Sequence, residues 1–388
     1  MMEVRSVTMI GENSGRLRFR LPNRFIVTSC PMTSAAIRAA WFPDEETTVV
    51  VSTGARLHFG LFGVRAEAGR CYGGAGLMVD RPGTTLRVTT ARHDEIVAPD
   101  SLTGRIGEWR DRFRTAAADR ATGPVRIVVE RALPAHRGFG SGTQTALALG
   151  TALAGVWGWG DTPVEAIARC LGRGRRSTIG TTGFATGGFL VDAGHAPLEQ
   201  ADRPCVTRYD LPFDWRVVLV EPLSEQGMSG EAESRAFGQL APMPAELTDR
   251  LCRLLLLDLL PALSTARLDP FFRALAEYGR GVGRYFAPAQ GDLFASPTIA
   301  RLDADLTAAG QAGLVQTSWG PAAVAFAASD SDARAFAEEL VSRCGPERVT
   351  ATVVAPLRSG AAIRFARSGR SIAMMRDHGT GEFVRPVG

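Results

Sequence analysis

Residues 143–160 (TQTALALGTALAGVWGWG) carry no charge at all. Such a stretch has no polar face to give to water, so it cannot be an ordinary surface helix. Gly150, Gly155, Gly158 and Gly160, with the threonines, make it too polar for a lone membrane span. It reads as a helix buried on all sides, and the rest of the fold must close around it. A β-branched run, VRIVVER, precedes it and reads as a strand; a glycine-rich loop, LPAHRGFGSG, joins the two.

Other elements follow from local pattern. Residues 47–52 (TTVVVS) read as a strand that runs on into TGARLHFGLFG. Residues 69–79 suggest a turn and a strand, and 86–90 a further strand. Residues 101–118 are spaced as a helix with Ser101 as its N-cap, and 163–171 as a short helix capped by Thr162. GRGRRSTIGTTGFATGG reads as a basic loop before the strand GFLVDAGH. The second half opens on WRVVLV (215–220) and continues with helices near 230–238, 246–260 and 268–280. A strand–turn–strand (GLVQTSWGPAAVAFAA), a helix at 332–342 and a strand at 349–354 complete it. This is a split β-α-β order, and the fold class is α+β. The expected divisions are an extension at 1–46, domains at 47–205 and 206–366, and a tail at 367–388.

Composition narrows the chemistry. Across 388 residues, 44 basic against 40 acidic side chains leave a net charge of +4. That is too balanced for nucleic acid as main partner. Every basic residue is Arg, so no lysine Schiff base, P-loop lysine or lysine base can exist. The 6 cysteines have no metal-ligand spacing, and the charged N-terminus has no apolar signal core. A soluble cytoplasmic protein without nucleic-acid or membrane partners is expected.

Residues 134–144 (PAHRGFGSGTQ) carry the strongest local signal. Glycines let backbone approach a ligand, and amides at a helix N-terminus form an anion site. Gly138, Gly140, Ser141, Gly142 and Thr143 are therefore candidate phosphate ligands, although a plain capped turn has the same pattern. Arg173, Arg175 and Arg176 could add guanidinium forks, or form a solvated surface loop. Arg56 and His58 alternate on one strand face, where His58 could act as acid or base or simply pack. Asp192, ending a strand, is a candidate for Mg²⁺ or ribose hydroxyls, or for a strand-ending turn. Ser318 and Trp319 could close over an aromatic ring, with core packing as the alternative for Trp319.

Segment 134–144 resembles the phosphate-binding motif of the GHMP kinase superfamily. ARLHFG (55–60) and GLVQTSWGP (313–321) are similar to its early strand motif and late glycine-rich motif. Taken with YGGAGL (72–77), GRGRRSTIG (172–180) and GGFLVDAGH (187–195), they resemble β-ribofuranosylaminobenzene 5'-phosphate synthases over roughly residues 50–365. The resemblance implies a two-domain GHMP kinase-like fold whose C-terminal domain is ferredoxin-like. It also implies phosphoribosyl pyrophosphate and an aromatic acid as substrates, joined through carbon with loss of CO₂ and pyrophosphate. The acid could be 4-hydroxy- or 4-aminobenzoate, or a pyrazole dicarboxylate as in C-nucleoside synthesis. Mg²⁺ and a homodimer are expected, with Arg56, His58 and Asp192 as the catalytic set. The alternatives are an ATP-dependent small-molecule kinase on this fold, which the missing lysine weakens, and a non-catalytic phosphate-ligand protein.

Overall fold

A computed structural model describes residues 46–66, 69–117, 122–196, 206–227, 230–367, 370–376 and 383–384. The expected extension at 1–46 falls almost wholly outside these residues, as do Cys30, Cys205 and most of 377–388. Among the described residues, no helix is long and apolar enough to cross a membrane.

The first sheet is built on one long antiparallel pair, β1 (Thr47–Phe62) and β2 (Gly73–Thr90). The distal half of β2 pairs with β4 (Val125–Arg131), which also meets the short β3 (Glu95–Val97). Its proximal half pairs with β5 (Phe189–Asp192), and β5 with β6 (Val206–Tyr209). On its other side β1 takes up β11 (Ala362–Arg367), followed by β12 (Arg370–Arg376) and β13 (Phe383–Val384). Register shifts at Gly54/Ala55 and His58/Gly60 interrupt β1 where the site will lie.

The charge-free stretch becomes α2 (Ser141–Val156), with Ala146, Leu147, Ala148, Leu149, Ala152 and Leu153 all buried. It packs with Val49, Val51, Leu86 and Val88 of the sheet and with Ile106, Trp109 and Phe113 of α1 (Asp100–Ala116). Its buried Gln144 is satisfied inside that core: the side-chain oxygen accepts from Thr53 Oγ1 at 3.1 Å, and Nε2 donates to the Gly180 carbonyl at 2.9 Å. The short α3 (Val164–Cys170) adds Ile167, whose methyl sits where a side chain on Gly150 would go.

The second sheet contains β7 (Arg216–Pro222), β8 (Val315–Gln316), β9 (Ala323–Ala327) and β10 (Val349–Val354). Their spatial order is β10-β7-β9-β8, all antiparallel, which is the ferredoxin-like arrangement. Between β7 and β8 run α5 (Gly230–Gln239), α6 (Ala245–Arg253), a π-helical turn (Leu254–Leu259), α7 (Leu260–Ser264), α8 (Leu268–Gln290) and α9 (Pro297–Ala308). The helix α10 (Asp330–Cys344) precedes β10.

Several local expectations are corrected. Residues 179–186 are not loop but α4 (Ile179–Thr186). Its glycines and threonines are poor helix formers, yet a Cβ on Gly183 would lie 2.7 Å from the Met78 sulfur, so close packing on β2 selects small residues. After the turn at 69–72, residues 73–90 form one strand rather than two. Helix α1 begins at Asp100 after Pro99, which leaves Ser101 inside the first turn rather than at the cap. Helix α8 continues to Gln290, through glycines that let Leu251 and Leu293 pack against it. Helix α9 had no counterpart in the sequence reading; Ser296 caps it by accepting the Ile299 N–H at 3.0 Å. Part of the expected tail is the strand β12.

Asp303 fastens α8 to the start of β8. Its Oδ1 accepts from Arg280 at 3.0 Å and from the Leu314 N–H at 2.7 Å, and the carboxylate is buried. Removing it leaves the Arg280 guanidinium without its carboxylate, bonded only to Thr307 and the Ala312 carbonyl, and strands the buried Leu314 amide. Asp303→Ala should therefore cost about 3–5 kcal/mol of unfolding free energy in urea titration. A loss below about 1 kcal/mol would show that the pair contributes little.

Candidate active site

The chain leaves β4, turns at His136 (φ 60°) and passes Gly138 (φ 92°) and Gly140 (φ 67°) before α2 begins at Ser141. Left-handed backbone is one reason for glycine here; proximity is the other. A Cβ on Gly138 would overlap the Thr317 carbonyl, and one on Gly140 would lie 2.7 Å from Arg56 Nε. The leading amides of α2, which a helix leaves without intrahelical acceptors, open on a cavity of about 740 Å³ lined by Ser141, Gly142 and Thr143.

That cavity has two chemically distinct linings. One is cationic: Arg105, Arg173, Arg175 and Arg176. The other is aromatic: Phe237, Phe286 and Trp319, with Val282, Gly279 and Gly283 of α8. The Trp319 and Phe286 rings meet edge-on with centroids 4.9 Å apart. Arg176 links the two linings, its guanidinium 4.1 Å from the Phe237 ring centroid. No Asp or Glu lines the described cavity.

Arg56 and His58 both line the cavity, on the interrupted part of β1. The Arg56 N–H bonds to the Phe139 carbonyl at 3.0 Å, which holds the strand against the phosphate loop. His58 is buried. Its Nδ1 accepts from the Gly60 N–H at 3.1 Å, so the ring proton sits on Nε2 and points to Ser177 Oγ, also at 3.1 Å. Burial first, and the Arg56 charge second, hold His58 well below its ordinary pKa. It is a neutral imidazole near pH 7, with both nitrogens engaged.

Asp192 does not line the cavity. It is buried behind Ser177, with Oδ2 taken by the Thr178 N–H and Oγ1, both at 2.8 Å, and by Ser177 Oγ at 3.4 Å. Its Oδ1 accepts from the Gly194 N–H at 2.8 Å. Those donors leave it the part of an anchor for the 177–178 turn, away from a metal or ribose. Ser318 adopts φ 56° and donates its N–H to the His58 carbonyl at 2.7 Å. Glu221 stands on β7 near Arg137 and outside the cavity, its carboxyl pushed up by burial. Sequence reasoning missed Arg105, Ser177, Phe237 and Phe286. Ser177 stood inside the GRGRRSTIG motif without being singled out, and Arg105 left a trace four residues before Trp109 on one helix face.

The His58 environment gives a stability signature. The unfolded histidine takes a proton near 6.5, the folded one only well below that. Above that pH both states are neutral and the group contributes nothing. As pH falls below it, the unfolded state gains the proton and wild-type stability drops by up to about 1.4 kcal/mol per pH unit. His58→Ala should flatten this acid-side slope in denaturation series between about pH 7.5 and about pH 5.5. Equal slopes would mean that the folded imidazole titrates normally.

Comparison with known proteins agrees with this geometry. A model of the GHMP kinase N-terminal domain matches residues 110–188, from α1 through the phosphate loop to α4. The β-ribofuranosylphenol 5'-phosphate synthase of Methanothermobacter thermautotrophicus is 29% identical over 325 residues, covering 78% of this chain and 95% of that protein. The protein of the same name from Archaeoglobus fulgidus is 38% identical over 240 residues, covering 58% and 72%. Among solved structures, homoserine kinase from Cytophaga hutchinsonii superposes with a TM-score of 0.56 at 15% identity, covering 83% of this chain and 99% of that one. Mevalonate diphosphate decarboxylase from Staphylococcus aureus gives 0.58 at 13%, covering 82% and 98%. At those identities the two structures speak for the fold alone. The chain thus has the GHMP kinase fold and, by its likeness to the Archaeoglobus protein over nearly three quarters of that protein's length, belongs to the β-ribofuranosylphenol 5'-phosphate synthase family.

Proposed function

We propose that this protein is a C-glycoside synthase that joins phosphoribosyl pyrophosphate to an aromatic carboxylic acid. The observation that carries this reading is one cavity with a glycine-floored, cationic lining and an aromatic lining, and with Arg56 and His58 lining it beside the phosphate loop. The family name of its relatives favours a phenolic acceptor such as 4-hydroxybenzoate over a pyrazole dicarboxylate.

In the proposed reaction the ribose C1–oxygen bond breaks and its electron pair leaves on pyrophosphate. The ring carbon that bears the carboxylate bonds to C1. The bond to the carboxylate then breaks, its pair returns to the ring, and CO₂ departs. The amides at Ser141 and Gly142, the Thr143 hydroxyl and the arginines stabilise the charge that grows on the leaving group. Phe286 and Trp319 offer faces to the acceptor ring. Arg56 orients an anionic group of the acceptor, while burial and the Arg56 charge keep His58 neutral and the Gly60 N–H and Ser177, itself bonded to Asp192, hold it in one tautomer beside it.

Magnesium does not fit as a protein-held ion here. The described cavity has no carboxylate, Asp192 spends its oxygens on protein donors, and the described residues contain no group of three metal-ligating side chains. A divalent cation would enter on the oxygens of the pyrophosphate itself.

The test is direct. Protein, Mg²⁺ and phosphoribosyl pyrophosphate are mixed with 4-hydroxybenzoate, 4-aminobenzoate and a pyrazole dicarboxylate, with ATP in a parallel arm. Mass spectrometry should find a ribosyl-phosphate adduct lacking the carboxyl group, without need of ATP. A phosphorylated product formed only with ATP would replace this reading by the kinase. Within the active system, His58→Ala should lower kcat by roughly 10²–10⁴. Arg56→Ala should mainly raise KM for the acceptor. Near-normal turnover in the His58 variant would reduce that residue to packing.

A further inference from the structure

We infer that Arg105 and Arg173 form a two-guanidinium clamp for one doubly charged phosphate group, seated on the first turn of α2 at Gly142; the inference deepens the phosphoribosyl reading and rests on it. The two arginines are far apart in sequence, one on α1 and one in the turn after α3. Both guanidinium carbons nevertheless lie beside one indole, 4.8 Å and 5.0 Å from the Trp109 ring centroid. Both also border the same glycine: a Cβ on Gly142 would stand 2.9 Å from Arg105 Nη2 and 3.8 Å from Arg173 Nη1. A side chain there would fill the space between the forks, and its absence leaves room for a ligand against the helix amides.

The charge balance points the same way. Neither guanidinium has a carboxylate partner among the described residues, and Arg173 Nε is buried without a hydrogen bond. Burial, then Arg105 and Arg112, push Arg173 below its ordinary pKa, and Glu108 is the only opposing charge before Arg175 adds to the repulsion. Like charges brought together on a buried tryptophan, with no carboxylate in ion-pair contact and Glu108 acting on Arg173 only from a distance, call for an anion from outside. A single carboxylate would answer one of the two forks. A phosphate group near neutral pH carries roughly −1.5 to −2 and presents three oxygens to paired N–H donors. Its source is either the ribose 5-phosphate or the terminal phosphate of pyrophosphate, and binding data separate them.

Calorimetric titration of the wild-type protein with ribose 5-phosphate and with inorganic pyrophosphate provides the test. Arg105→Ala should weaken at least one of these anions about tenfold or more, and the anion affected names the source. Arg105→Lys keeps the charge and the aliphatic stem over Trp109 but loses the fork, so it should recover only part of the affinity; it also carries the test if Arg105→Ala fails to fold. Arg112→Ala removes a charge that acts on Arg173 from outside the cavity lining, and should change both affinities by less than about threefold. Unchanged binding of both anions in Arg105→Ala overturns the clamp, as does an equal loss in Arg112→Ala, which would mean a diffuse field. If Gly140→Val abolishes binding while Arg105→Ala does not, the clamp alone falls. If the wild type binds neither anion, the clamp and the phosphoribosyl reading fall together.

Discussion

The buried hydroxyl of Thr317 is the small joint on which the site depends. It accepts the His58 N–H at 3.2 Å and donates to the Gly138 carbonyl at 2.8 Å. One side chain thereby ties together the interrupted strand, the phosphate loop and the turn after β8. The joint closes only because glycine stands on both sides of it: a Cβ on Gly320 would run into the Arg137 carbonyl and the Gly138 amide. A methyl group on either loop would push the two halves of the fold apart and open the cavity.

Around that joint, polar groups are assigned before any substrate arrives. His58 is held at both nitrogens, Asp192 at both oxygens, and Gln316 donates to Gln290 and to the Ser318 carbonyl, each at 3.0 Å. With 44 arginines against 40 carboxylates the chain as a whole is nearly balanced, yet among the described residues the cavity lining gathers arginines and holds no acid. Net charge gives no hint of such a local field, because carboxylates placed elsewhere cancel it in the sum but not in space.

Much of the architecture was legible because it is local. The alternation of VRIVVER, the uncharged run of α2 and the split order of the second half each follow from neighbours along the chain. The phosphate loop was legible for the same reason, as glycine spacing before a helix is a local pattern. Misread elements share the opposite property. Helix α4 exists because Gly183 fits against Met78 of a distant strand, and β12 exists because β11 offers it an edge. Asp192 looked available because a terminal strand carboxylate resembles a ligand in sequence; the Gly194 amide that takes Oδ1 is local, but the Thr178 amide and hydroxyl that take Oδ2 are brought by the fold.

The sequence by itself determined the α+β class, the family motifs, the site of the glycine-rich loop and the exclusion of lysine chemistry. Those depend on residue type and on spacings of a few positions. The tertiary structure alone decided which arginines share Trp109, which aromatic rings face the cavity and which groups are already spent on protein partners. The reason is physical: hydrogen bonds and charge–charge interactions act over a few ångströms of space, and distance along the chain from Arg105 to Arg173 or from His58 to Thr317 carries no record of it.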